Sequence, residues 1–510
     1  MRVKSLWIGL ALIVALFELA PLSSARIVRV DILHTSDING RLLPGKSRGV
    51  KKGGGLLRCA TLIAREREKN PQAILLDSGA ALRGTPESDV LNGSVIADAM
   101  KMLKYDACVP AATDFACGIE VLRNVHGEGG PEMLAANLKS LGDANPLPKL
   151  KPFIVRNVEG VRVAITGLTN SGTPQRIHPT LLRGLEWRSS RRALADIMPS
   201  LRALNADIHI LVAHQGLKEF DDPDNEIRAI IKEFPEFDVI IGGNTGKRVQ
   251  SVMIDDTLYT QAGKGGECLG VIKIEYDTVK DSLVARDARL VLTDNSIPQR
   301  EDLLKLVAEN LKRAGVLLKE PIGCAKSNFN FRPKDGEQGV RAILLSAIKE
   351  AVNADIVIQG TQSRQNIWER EQRERDLWRI LPYEDRVGVV MLTFGDIKKI
   401  LQENATYIKT NFFLGISGVD YRIDYDESGK PLIVDMRLSD GSVPHPRKRF
   451  KVALSSYVLA SGGGKFKVVR EVTAAPKARL ELTDILIRDA LREYMRRHNP
   501  LEAPPEDGLE

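Results

Sequence analysis

Short apolar runs ending in small or polar residues recur through the first half of the chain. They are Val30-Asp31-Ile32-Leu33-His34, Ala73-Ile74-Leu75-Leu76-Asp77, Val161-Arg162-Val163-Ala164-Ile165, Ile208-His209-Ile210-Leu211-Val212 and Asp238-Val239-Ile240-Ile241-Gly242. Runs this short and this apolar predict buried strands. Helical stretches lie between them. In the clearest, Ile227, Ile230, Ile231 and Phe234 recur at helical spacing, with Asp224 or Asn225 as the expected cap. Alternation of this kind predicts a layered α/β domain whose chemistry gathers where strands end and loops begin.

The pattern changes after Ser296. A charged amphipathic helix carrying Leu303, Leu304, Val307 and Leu311 lies between Pro298 and Pro321 and reads as a connector between domains. Beyond it we expect a helix over 342–352, a strand over 355–358, a helix over 394–402, β-rich segments from 412 to 459, and a capped helix from Thr483 to Arg497. This is a second, mixed α+β domain. The expected division is a signal segment over 1–25, a first domain over 26–295, a linker helix over 296–320, a second domain over 321–498 and a disordered tail over 499–510.

Length agrees with that division, because 510 residues exceed what one hydrophobic core usually supports. The first residues set Arg2 and Lys4 before an apolar run from Leu6 to Phe17, then Pro21 and Ser23-Ser24-Ala25. This is the pattern of a cleavable secretory signal, too short to span a bilayer comfortably. The mature chain is therefore expected to be periplasmic or secreted, with no stable membrane insertion after cleavage. Cys59, Cys108, Cys117, Cys268 and Cys324 are odd in number, so at least one stays unpaired or bridges to another chain. Their apolar neighbours predict buried thiols, with a Cys108–Cys117 disulfide as the alternative. The formal charge of +7 is spread along the chain, and the one compact basic cluster, from Pro446 to Lys451, alternates with apolar residues. That is a solvated sheet face, so no nucleic-acid partner is expected.

Candidate chemistry sits in the strand-end loops. These are His34-Thr35-Ser36-Asp37-Ile38-Asn39-Gly40-Arg41-Leu42, Asp77-Ser78-Gly79-Ala80 with Gly84-Thr85-Pro86, Ala111-Ala112-Thr113-Asp114-Phe115, Val212-Ala213-His214-Gln215-Gly216, Gly242-Gly243-Asn244-Thr245-Gly246 and Gln261-Ala262-Gly263. The second half adds Gln359-Gly360 to Arg364, Leu381-Pro382-Tyr383, Ile416-Ser417-Gly418 and Ala460-Ser461-Gly462-Gly463-Gly464. In this order the loops resemble the 5'-nucleotidase family, which includes the UDP-sugar hydrolases and is related to calcineurin-like metallophosphoesterases. The resemblance spans nearly the whole mature chain. It implies an α/β fold: a layered, helix-flanked β-sandwich of metallophosphoesterase type with a mixed α+β C-terminal domain.

The family uses two divalent metals to polarise a phosphoryl oxygen and generate the nucleophile. Carried over residue by residue, the resemblance leaves most of the metal ligands unmatched. Asp37 matches an Asp ligand and His214 a His ligand, both vestigial. Asn39 stands where a His belongs, and Ala80 where the bridging carboxylate belongs. Ala112, Thr113 and Asp114 fill the catalytic loop in place of Asn, His and Glu. Asn244 and Gly246 replace two further His residues. Ala and Gly carry no donor atom, and Asn and Thr offer only neutral oxygens, so Asn39 and Asn244 are weak ligands. No cofactor is expected beyond at most one divalent metal. The form considered is Ca²⁺ or Mg²⁺ among Asp37, Asn39, Asp77, Asp114 and Asn244.

On the substrate side the resemblance implies Arg364, Tyr383, Tyr457, Gly462 and Gly463 as ligand contacts. Arg364 is suited to an anion and Tyr383 to a flat ring. The bland alternatives are a solvated Arg364, or one paired to Glu369 or Glu371, and a Tyr383 packed at a domain edge. The expectation is an exported, non-catalytic family member that binds a nucleotide-like or other small anionic ligand, or a protein partner. The rival is a divergent hydrolase of phosphate esters that works through Asp37, Thr113, Asp114 and His214.

Overall fold

The computed structural model describes residues 26–504, apart from 48–49, 117, 142–145, 223 and 333–337. The signal segment, Cys117 with its disulfide alternative, and residues 505–510 of the tail lie outside the described residues.

Two sheets stack face to face in the first half. In the seven-stranded sheet the order is Ser282–Leu292, Cys268–Asp277, Ile27–Thr35, Ile74–Asp77, Ala107–Cys108, Glu132–Leu134 and Leu150–Lys151. The six-stranded sheet runs Arg248–Ile254, Thr257–Ala262, Val239–Ile241, Ile208–Ala213, Val161–Leu168 and Phe153–Val158. Strand alternation sorts the apolar residues. Val30, Ile32, Ile74, Val163, Ile165, Ile210 and Ile241 meet between the sheets. Leu33 and Leu75 face outward to the helices Leu56–Lys69 and Ser94–Met102. Ala164, Leu211 and Ile240 face the helices Ser190–Ala203 and Ile227–Glu233. The predicted buried strands are therefore buried on both faces, as a helix-flanked sandwich requires.

Packing is close where Gly270 passes His34. A Cβ built on Gly270 would lie 1.9 Å from His34 Nε2. Gly270→Ala should therefore cost about 1–3 kcal/mol by overpacking, read as a lower urea midpoint. An unchanged midpoint would mean that this core yields more easily than its packing implies.

In the second half a five-stranded sheet has the order Gly415–Ser417, Ile356–Gln359, Arg449–Ser455, Arg386–Thr393 and Glu481–Leu486. Ile356, Ile358, Val452 and Leu454 pack on one face. Val357, Ala453 and Val387 pack on the other, against Val340–Val352 and Ile487–Arg497.

Several expectations need correction. Helix Ile227–Glu233 is not capped by Asp224 or Asn225. Its N-cap is Glu226, and Asp221 accepts from the amides of Arg228 and Ala229 at 3.3 and 2.7 Å. Asp224 is drawn to Arg176 instead, and Asn225 accepts from the amide of Gly216. The expected connector, Glu301–Leu317, buries Leu303, Val307 and Ala314 in the first domain's helical layer. The expected capped helix from Thr483 begins only at Ile487, because Glu481–Leu486 adds an edge strand to the second sheet. Cys59, Cys108 and Cys268 are buried thiols, but Cys324, on the short edge strand Pro321–Cys324, is exposed. The start of the expected disordered tail is docked. Leu501 is 1% exposed, packs in the second domain's core and exchanges backbone hydrogen bonds with Cys324 and Lys326.

Candidate functional site

Strand ends of both sheets in the first domain bring the sequence-predicted residues together. Asp37 follows Ile27–Thr35, and its amide donates to Gly79 O at 3.0 Å, while the amide of Asn39 donates to Ala80 O at 2.7 Å. The hydroxyls of Ser36 and Ser78 both donate to Gly242 O, at 3.0 and 2.8 Å, which ties three loops to one carbonyl. Asp37, Asn39, Ala80 and Asn244 all have left-handed backbone, with φ of 48, 50, 55 and 67°. Asn and Asp tolerate that conformation, whereas Ala80 adopts it at a cost.

Most of the polar atoms here are already engaged. Asp77 accepts from Thr35 Oγ1 at 2.6 Å and from the amide of Gly79 at 2.8 Å. Asp114 accepts from the amides of Ala111 at 2.9 Å and Leu82 at 3.3 Å. His214 Nδ1 donates to Ser78 O at 2.8 Å, which fixes its tautomer. Asn244 Nδ2 donates to Asn225 Oδ1 at 3.1 Å, and Asn39 Nδ2 to Asp37 O at 2.7 Å. Asp37 Oδ2 is buried without a hydrogen-bond partner.

Electrostatics follow from burial. Burial first, then the neighbouring Asp77, pushes the Asp37 carboxyl up to about 8, against a downward pull from the amides of Asn244 and Gly246. Burial raises Asp77 to about 7 and Asp114 to about 6. It lowers His214 to about 4, so that imidazole is neutral near pH 7. Among the described residues no three His, Cys, Asp or Glu side chains converge as a metal-binding group. With two carboxylates turned to backbone amides and Ala, Thr and Gly at the other strand ends, the donor set does not fit the two-metal centre that the resemblance implies.

Beside these loops opens a cleft of about 910 Å³ between the two domains. Asn39 and Thr113 line its first-domain wall, and Arg364, Tyr383 and Tyr457 its second-domain wall. Asp37, Asp114, His214 and Asn244 stand behind that lining. Gly462 and Gly463 also lie outside it: the amide of Gly463 donates to Gln175 O at 2.8 Å, joining the domains. Tyr457 spends its hydroxyl on Gly462 O at 2.9 Å, while Tyr383 is 57% exposed. Glu371 pairs with Arg373, and Arg364 makes no ion pair among the described residues.

The cleft also holds Lys264, Asp385 and Phe412, which sequence reasoning passed over, and Arg41 and Gln359, which stand in the quoted loops but were given no role. Asp385 is buried and raised to about 6, first by burial, and it accepts from Gln362 Nε2 at 2.7 Å and Ser456 Oγ at 3.3 Å. The glycines around Lys264 were the available signal, since Gly263, Gly265 and Gly266 all have positive φ and bend the loop tightly. Glu384 in the cleft wall receives Arg83 of the same wall at 2.6 Å and, from behind, Arg488 at 2.7 Å. Asp89 also receives Arg83, at 3.2 Å, and Arg488 lies 3.3 Å from the Trp378 ring centre.

A helix-flanked sandwich joined across a cleft to a mixed α+β domain is the fold that this chain shares with solved two-domain structures. The family model "5'-nucleotidase, C-terminal domain" matches residues 321–471. The rat 5'-nucleotidase is 26% identical over 524 aligned residues, covering 90% of this chain and 88% of that protein. The Vibrio parahaemolyticus 5'-nucleotidase is 21% identical, covering 93% and 90%. In fold, the chain matches a Staphylococcus aureus structure described as a 5'-nucleotidase in complex with alpha-ketoglutarate. The TM-score is 0.79 at 18% identity, over 94% of this chain and 99% of that one. The 5'-nucleotidase precursor of Thermus thermophilus gives 0.68 at 18% identity, over 94% and 99%. Residues 321–471 thus match the 5'-nucleotidase C-terminal domain, and over most of its length the chain is similar to 5'-nucleotidases. Among the described residues no helix is long and apolar enough to cross a membrane.

Proposed function

We propose that this chain is an exported, non-catalytic member of the 5'-nucleotidase family that binds a nucleotide-like or other small anionic ligand in the interdomain cleft. The observation that carries the reading is the engagement of the strand-end acids. Asp77 and Asp114 each give both carboxylate oxygens to local donors. A hydrolytic metal centre needs carboxylates and imidazoles whose lone pairs converge on open space. Thr113, where the resemblance places the catalytic imidazole, has no proton to exchange near neutral pH. His214 is neutral and its Nδ1–H donates to Ser78 O, which leaves Nε2 as an acceptor, but one imidazole does not replace the ligands that the other loops lack. Export rests on the N-terminal segment alone.

Metal analysis of the purified protein, with adenosine 5'-monophosphate and UDP-glucose offered as substrates, tests the reading. The expected result is no stoichiometric Zn²⁺ or Mn²⁺, no release of phosphate or nucleotide, and a melting temperature raised by adenosine 5'-monophosphate. Stoichiometric metal with turnover that disappears in Asp37→Ala and His214→Ala would establish the divergent-hydrolase reading instead. A co-purifying protein with no thermal response to either nucleotide would move the ligand role to a protein partner.

A further inference from the structure

Two cations line the cleft, and one of them lies over a strand-end position at which the resemblance expects a ligand. Resting on the binding role above, we propose that Arg41 and Lys264 hold the phosphate of a phosphomonoester directly. They would supply as fixed side chains the positive charge that a metal would otherwise bring.

Lys264 occupies vacated space. A Cβ built on Gly246 would lie 3.0 Å from Lys264 Cδ, 3.4 Å from its Cβ and 3.5 Å from its Cγ. The lysine stem therefore runs across the position at which the resemblance places an imidazole. With an imidazole there, the stem would have to move.

Arg41 is held in a niche that only glycines leave open. A Cβ on Gly45 would lie 2.3 Å from Arg41 Nη1, and one on Gly265 would lie 2.8 Å from its Nε. Gly265 follows Lys264 directly, so Arg41 packs against the same loop that carries Lys264.

The acids of the same cleft are already committed. Glu384 serves Arg83 and Arg488, Asp385 serves Ser456 and Gln362, and Glu267 is also engaged. Neither Arg41 nor Lys264 makes an ion pair among the described residues, and the same holds for Arg364 on the facing wall. A phosphomonoester brings a charge of about −1.5 to −2 and three acceptor oxygens, which suits such a set of donors.

A second observation, independent of charge, describes the rest of the ligand. Gln359 lines the same cleft and is only 3% exposed, and its Oε1 has no hydrogen-bond partner. A buried acceptor left unpaired is costly, so the ligand should carry an N–H or O–H donor that reaches it.

Calorimetric titration with inorganic phosphate and with adenosine 5'-monophosphate, each in excess EDTA, tests the inference. Binding should persist in EDTA and weaken as salt is raised. Lys264→Gln and Arg41→Gln should each weaken it roughly 10- to 100-fold, the range for a hydrogen bond to a charged group. Lys264 is exposed, so its variant should melt with the wild type, and it carries the test if Arg41→Gln fails to fold. Binding abolished by EDTA, or unchanged in Lys264→Gln, overturns this inference and leaves the binding role standing. Metal-dependent turnover, or no binding of either probe with or without Zn²⁺ or Mn²⁺, overturns both.

Discussion

Asp37→Asn is expected to raise the melting temperature near pH 8 and to leave it almost unchanged near pH 4. The folded carboxyl titrates at about 8, against an ordinary value of 3.8. Its raised value means that folding favours the protonated form. That stability is fully present below the unfolded pKa and is lost as pH climbs through the folded one. The wild type should therefore lose stability between about pH 4 and pH 8, helped by Asp77 and Asp114, which burial shifts in the same direction. Asparagine keeps the shape without the charge and tolerates the φ of 48° at this position. We expect a gain of about 1–3 kcal/mol near pH 8 from removing a buried carboxylate that has no cationic partner, measured by urea unfolding at both pH values. A loss at pH 8, restored in the wild type by added divalent metal, would mean that Asp37 still serves a cation.

The second large effect lies at the cleft wall. Glu384→Ala should lower stability by about 3–5 kcal/mol, because it leaves Arg83 and Arg488 facing each other with side chains only 7% and 2% exposed. Arg488 keeps its stacking on Trp378 and its bonds to Leu381 O at 2.6 and 3.0 Å, but neither neutralises it. Replacing Arg83, Glu384 and Arg488 by Met, Leu and Met together with Asp89→Asn, since Asp89 also pairs with Arg83, should restore most of the loss, because that set has no buried charge to strand. A single-variant loss below about 1 kcal/mol would place the network in water rather than in the interface.

The layered architecture was legible because the strands are largely buried on both faces and so read as short apolar runs, broken within only by Asp31, Arg162 and His209. Periodicity served less well at boundaries. Thr483 to Leu486 was assigned to the helix that follows, although its β-branched residues serve as an edge strand whose Asp484 points into water. The cap of Ile227–Glu233 comes from Asp221, and nothing in local spacing ranks it above Asp224, which an arginine 48 residues away claims. The strand-end loops could be read as a family pattern. What could not be read was the state of the residues that remain. Whether Asp77 and Asp114 face open space or backbone amides depends on loop geometry, and the meaning of Lys264 depends on its lying over Gly246.

The helix Glu301–Leu317 sets a practical boundary. Because Leu303, Val307 and Ala314 complete the helical layer of the first domain, a gene fragment stopping at residue 295 would encode a protein with a bare apolar stripe. Expressed by itself, such a piece should clump or be degraded in the host, whereas one extended through Leu318 carries its own cover.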